Sequence, residues 1–235
     1  MGRLGVLYED ALRFIKRIYK LKFINIEGVF THLACADINR NLTLHQIEIF
    51  KRLVLELNDA GIHIPLVHAA NSMGVISYRM SHFNMVRPGL IIYGLYPKEN
   101  LDIRLKPVLG LKTKVIYLKR VPKRFGISYG HTYITKRNTT IITLPIGYAD
   151  GYPRSLSNRA PVLIRGRRFK VSGRVCMDQI MVDVGDLAVK IGDEVVLIGS
   201  GGKNKITAEE LARLCDTICY EIVCGLGSRV PRVYT

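Results

Sequence analysis

No run in this 235-residue chain approaches the roughly 18–20 consecutive apolar residues of a membrane-spanning helix. Glu9 and Asp10 interrupt the first residues and no apolar core follows them, so a secretory leader is not expected. The chain reads as cytoplasmic, with no membrane partner. Paired cysteines are missing as well. Cys35, Cys176, Cys215, Cys219 and Cys224 form an odd set with no CxxC pair, and the last three fit no zinc spacing. Reduced, packed thiols and no metal site are expected. Acidic residues are scarce, 19 against 35 lysines and arginines, for a net charge of +16. Basic residues are nevertheless spread along the whole chain. No RNP, KH or basic-arm motif gathers them, so nucleic acid is not an expected partner.

What remains is an ordinary globular composition, long enough for two domains of about 100–130 residues. The first hundred residues alternate helical and short apolar patterns, as βα units do. Ala11, Leu12, Ile15, Ile18 and Tyr19 recur at helical spacing. Residues 28–33 read as a buried strand. Thr43 with Gln46 predicts a capping box for a helix that Gly61 ends. A strand over 65–68, a helix from about 72 and a further strand near 84–87 follow. Three or four such units cannot close a (β/α)8 barrel, which needs eight strands and about 250 residues. The expectation is half a barrel over residues 1–104, with 97–104 as a linker.

From residue 105 to 235 the pattern changes to β-rich runs at 112–118, 139–144, 161–164, 169–171, 180–184 and 194–198, punctuated by glycines. These predict an antiparallel β domain, interrupted by a helix that Thr207 and Glu210 open as a capping box. The fold class expected is thus α/β plus all-β, a partial TIM-type barrel followed by a C-terminal antiparallel β domain.

Several segments carry chemistry. HAANS (68–72) puts small and polar residues at a strand's C-terminal end, just before a helix. There, backbone N–H groups and the Ser72 hydroxyl can hold a phosphate, although Asn71 or Ser72 would also serve as a plain cap. Arg87-Pro88-Gly89-Leu90 follows at the expected end of the next strand, and barrel active sites gather at that face. His32 after its apolar strand reads, alone, as a core histidine. Tyr129 lies in a basic, glycine-rich setting, RFGISYG (124–130), and a phenol with a pKa near 10 is a poor base unless its neighbours lower that value. IGYADGYPR (146–154) and GRVCMDQIMVDVG (173–185) come next.

The order of RPG, SYG, IGYADG and CMDQ resembles alanine racemase over nearly the whole chain, from MGRLG to RVPRVY. That resemblance implies interconversion of L- and D-alanine with pyridoxal phosphate (PLP), for D-alanine supply to peptidoglycan. It implies a homodimer whose active sites are shared between subunits. It places the cofactor phosphate on Ser72, Gly89, Leu90 and Tyr220, and the pyridine nitrogen on Arg87. A guanidinium does not give up its proton, so it would leave that nitrogen unprotonated and weaken the electron sink, favouring racemisation over transamination. Tyr129 would be one catalytic base, reaching the partner's site, with His32 linking it to Arg87 by hydrogen bonds. Tyr148, Met177 through its N–H, and Arg3 would contact substrate. The family's other base is the lysine that carries the cofactor, on early barrel strands followed by a Tyr-Gly pair. Nothing in residues 1–60 resembles that segment, and the lysine that supports the substrate-binding arginine in many members is missing too. The chain therefore reads as the C-terminal portion of such an enzyme. The alternatives are a non-catalytic remnant or interaction module, or a racemase for another amino acid such as serine.

Overall fold

The computed structural model describes residues 1–234, which divide into two compact units, Met1–Lys106 and the residues from Pro107 onward. Among the described residues no helix is long and apolar enough to cross a membrane, and no three metal-ligating side chains cluster.

In the first unit, helix α1 (Tyr8–Tyr19) buries Ala11 and Ile15 against Leu53 and Leu57 of α2 (Arg40–Asp59). Buried α2 residues Thr43, Ile47, Phe50, Leu53 and Leu57 fall three or four apart, one stripe of a 3.6-residue period. The helix opens earlier than the sequence suggests. Asn39 is the N-cap, its side chain accepting from Leu42 N at 3.0 Å. Gln46 makes no capping box: its amide is drawn to Thr31 Oγ1, the His32 carbonyl and Ala34 N. That bond set ties α2 to the segment after strand β1 (Gly28–Phe30). β1 pairs in parallel with β2 (Leu66–His68), and α3 (Ser72–Ser77) follows. The strand expected near 84–87 does not form. Asn84 instead donates to the Pro65 carbonyl and accepts from Val67 N with its side chain, leaving a single parallel bridge from His68 to Met85.

The second unit is antiparallel. One sheet has the order β10–β7–β4, from Ile180–Gly185, Thr139–Leu144 and Tyr117–Val121. The other runs β12 (Asn204–Ile206), β11 (Glu194–Gly201), β8 (Pro161–Ile164), β9 (Arg167–Lys170), with β3 (Leu111–Lys114) also on β11. A small hairpin, β5 (Gly126–Ile127) and β6 (Tyr133–Ile134), completes it. The run at 112–118 is two strands rather than one. Val115 N bonds the Asp193 carbonyl and Ile116 N the Thr143 carbonyl, so the chain changes sheets between them. Helices α4 (Ala208–Cys215) and α5 (Cys219–Gly225) close the unit. Thr207 caps α4 through Glu210 N at 3.1 Å, but the Glu210 carboxylate pairs with Arg168 instead of completing a capping box.

Candidate active site

In the first unit, the loop after β2 and the segment 85–90 lie side by side. Arg87 N donates to the Ala70 carbonyl at 2.9 Å, and Gly89 N donates to Ser72 Oγ at 3.1 Å. Ala69, Ala70 and Ser72 are buried, and Asn71 caps α3 by accepting from Gly74 N. Asn71 is thus the cap, and the Ser72 hydroxyl is engaged with Gly89 instead. Leu90, also buried, begins a one-turn 3-10 helix.

Arg87 belongs to a packed aromatic cluster. Its guanidinium donates to Nδ1 of His68 and, at 3.0 Å, to the Thr31 carbonyl, and lies 5.0 Å from the centre of the Phe30 ring. Phe30 stacks on His68 with ring centres 5.2 Å apart and planes 3° from parallel. A donor on Nδ1 requires the neutral imidazole with its lone pair there. Burial and the Arg87 charge both hold the His68 pKa below its ordinary value, in agreement. Burial also lowers Arg87 somewhat, but a guanidinium stays charged. The histidine that the structure shows hydrogen-bonded to Arg87 is His68, a partner the sequence did not suggest. His32 stands in the field of Arg87, its pKa lowered by burial, Arg3 and Arg87 in that order. Arg3 is exposed and close enough to His32 to contribute.

Both imidazoles titrate more readily in the unfolded chain. Groups depressed on folding contribute fully above their unfolded pKa of about 6.5 and lose that contribution as pH falls through the lower folded values. Stability of the first unit is therefore expected to decline from pH 7 to pH 5, and His68→Gln to flatten the decline. Amide protection of Ile47 and Phe50 across that range, corrected for the intrinsic pH dependence of exchange, measures it; protection unchanged between pH 7 and pH 5 would contradict it.

In the second unit the three motif segments meet. Ser128, at a positive φ of 63°, donates through Oγ to the Arg174 carbonyl at 2.6 Å. Gly130 has φ 68°, and a Cβ there would lie 3.3 Å from Cζ of Arg174. The backbone carrying Tyr129 is thereby seated on GRVC, and Tyr129 as a residue is 70% exposed. IGYADG docks on the same segment: Tyr148 N donates to the Cys176 carbonyl and Ala149 N to the Met177 carbonyl, each at 3.0 Å. Gly147 permits this approach, since a Cβ would fall 2.3 Å from both carbonyl oxygens. Tyr148 and Met177 are exposed. Tyr220, near the start of α5, is exposed as well, and the end of α5 abuts Gly151, where a Cβ would lie 1.9 Å from the Gly225 carbonyl. Arg229 bridges the two docked loops through Asp150 and Asp178. The sequence reading missed His68, Phe30 and Arg229; the first was visible as the opening residue of HAANS.

The family model for the alanine racemase N-terminal domain matches residues 1–97, and that for the C-terminal domain matches residues 108–234. The chain belongs to the alanine racemase family. An alanine racemase of Halothermothrix orenii is 51% identical over all of this chain and 63% of its own length, and one of Symbiobacterium thermophilum is 50% identical at the same coverage. Among solved structures, the alanine racemase of Bacillus anthracis with bound L-Ala-P superimposes with a TM-score of 0.93 at 38% identity. That of Clostridium difficile 630 does so with 0.93 at 41%; each covers 100% of this chain and 62% of the neighbour. The chain spans less than two thirds of the relatives it matches. Its fold is accordingly part of an α/β barrel followed by an antiparallel β domain.

Proposed function

We propose that this chain supplies the cofactor cradle and one proton-transferring base of an alanine racemase that acts as a homodimer. The observation that carries the reading is the pairing of two loops by Gly89 N and Ser72 Oγ, with Arg87 beside them. Polar donors suited to a phosphate lie at one end of this arrangement, and a permanently charged donor suited to a ring nitrogen lies at the other. These residues fit PLP. Ser72, Gly89 and Leu90 would hold its phosphate and Arg87 its pyridine nitrogen; the family resemblance adds the Tyr220 hydroxyl to the phosphate contacts. When bound, that group supplies an electron sink that acidifies the substrate α-proton.

Arg87 would moderate that sink, since a guanidinium can donate a hydrogen bond to the ring nitrogen without giving up its proton. His68 and the Thr31 carbonyl accept from the guanidinium and Phe30 packs near it, which restrains where it points. Tyr129 takes or returns the α-proton on one face of the substrate, in the partner's site. Tyr148, the Met177 N–H and Arg3 orient the substrate, with alanine as the substrate proposed. The second base has to be a lysine. Those of the first unit, Lys16, Lys20, Lys22, Lys51, Lys98 and Lys106, lie on or after helices or in the 97–106 segment, and none belongs to the segments 68–72 and 85–90 that carry Ser72 and Arg87.

An amine elsewhere lacks the positioning that gives catalysis its effective molarity. The 235-residue chain incubated with PLP and borohydride is therefore expected to show only scattered, substoichiometric lysine labelling and no racemisation. Peptide mapping reads the outcome. A single stoichiometric lysine adduct accompanied by racemase activity would contradict it.

A further inference from the structure

We infer that Arg229 is a positioning residue, a clamp that fixes the loop bearing Tyr148 against the loop bearing Met177. Its functional consequence rests on the racemase reading above; its structural part does not. Asp150 is 8% exposed and spends one carboxylate oxygen on Gly147 N at 2.9 Å, closing the turn that presents Tyr148. The other oxygen faces Nε of Arg229 at 3.3 Å. The far end of the same guanidinium reaches Asp178, the residue after Met177, at 2.6 Å. One planar fork thus spans two carboxylates from different loops, a geometry that suits arginine and that a lysine's point charge cannot reproduce on both sides.

The backbone supports the assignment. Tyr148 N and Ala149 N already bond the Cys176 and Met177 carbonyls, and the Asp150 carbonyl accepts from Gly227 N at 3.0 Å. Arg229 follows that contact closely in sequence, so the C-terminal segment delivers the guanidinium from a fixed anchor. Without it, the half-exposed Asp178 loses its partner and the buried Asp150 carboxylate keeps only the Gly147 amide. Register between a phenol and a backbone N–H that contact the same substrate would then loosen, which weakens binding of substrate more than the proton transfers themselves.

Amide exchange on the 235-residue chain tests the clamp directly. In Arg229→Gln, exchange at Gly147, Tyr148 and Ala149 is expected to accelerate about tenfold or more, with Ile142, Val182 and Leu197 in the sheets unchanged. Arg229→Lys should fall between. Uniform acceleration at all six amides, or none at any, overturns the clamp. A second arm uses a hybrid joining this chain to the part of the Halothermothrix orenii relative that it does not span. There Arg229→Gln should raise KM for alanine about tenfold and change kcat less than about threefold. An unaltered KM overturns the positioning role. A hybrid inactive before mutation would instead count against the racemase reading, while the exchange result still decides the clamp.

Discussion

Tyr129→Phe, in the same hybrid, is expected to suppress α-proton exchange from one alanine enantiomer by about 10²–10⁴-fold, the usual contribution of a positioned acid or base. Exchange from the other enantiomer should stay within about threefold of the unmutated hybrid. The asymmetry follows from the chemistry of two unlike bases. Each faces one side of the substrate, and one of the two is a phenol. The Ser128–Arg174 bond and the Arg174 guanidinium over Gly130 fix the backbone on both sides of Tyr129, so loss of the hydroxyl should not move the loop. Deuterium wash-in at Cα from each enantiomer in D2O, measured separately, reads the effect. Equal, unperturbed exchange from both would remove Tyr129 from the mechanism.

Arg87→Glu is expected to raise pyridoxamine phosphate formation relative to racemisation by at least about tenfold. A carboxylate at this position stabilises a protonated ring nitrogen, whereas the guanidinium only donates to it. The same change removes the cation from the Phe30 face and from His68. Following pyridoxamine phosphate during turnover separates the two outcomes. An unchanged partition would mean that Arg87 does not face the ring nitrogen.

Where a signal was local, the sequence carried it. The β runs at 139–144, 161–164 and 180–184 became strands because short runs rich in apolar and β-branched residues, each followed within three residues by a glycine, have few other solutions. Thr207 capped its helix as expected. Two misreadings came from side chains with better distant partners. Gln46 left the helix end for the β1 loop, and Asn84 occupied the edge that the expected strand would have used. The motifs were legible as motifs, but their wiring was not. The link from Arg87 to His68 joins residues brought together by parallel pairing, and that from Arg229 to Asp150 spans most of the second unit. Neither has a sequence spacing to reveal it.

The central claim, that these 235 residues furnish the working cofactor cradle and one base of an alanine racemase, is tested most directly by polarimetry. The hybrid with the Halothermothrix orenii segment is supplied with PLP and L-alanine, beside the intact relative as a positive control. The account predicts decay of optical rotation to zero with PLP dependence, lost on Tyr129→Phe. Persistent rotation in a folded hybrid, while the intact relative racemises, would contradict it.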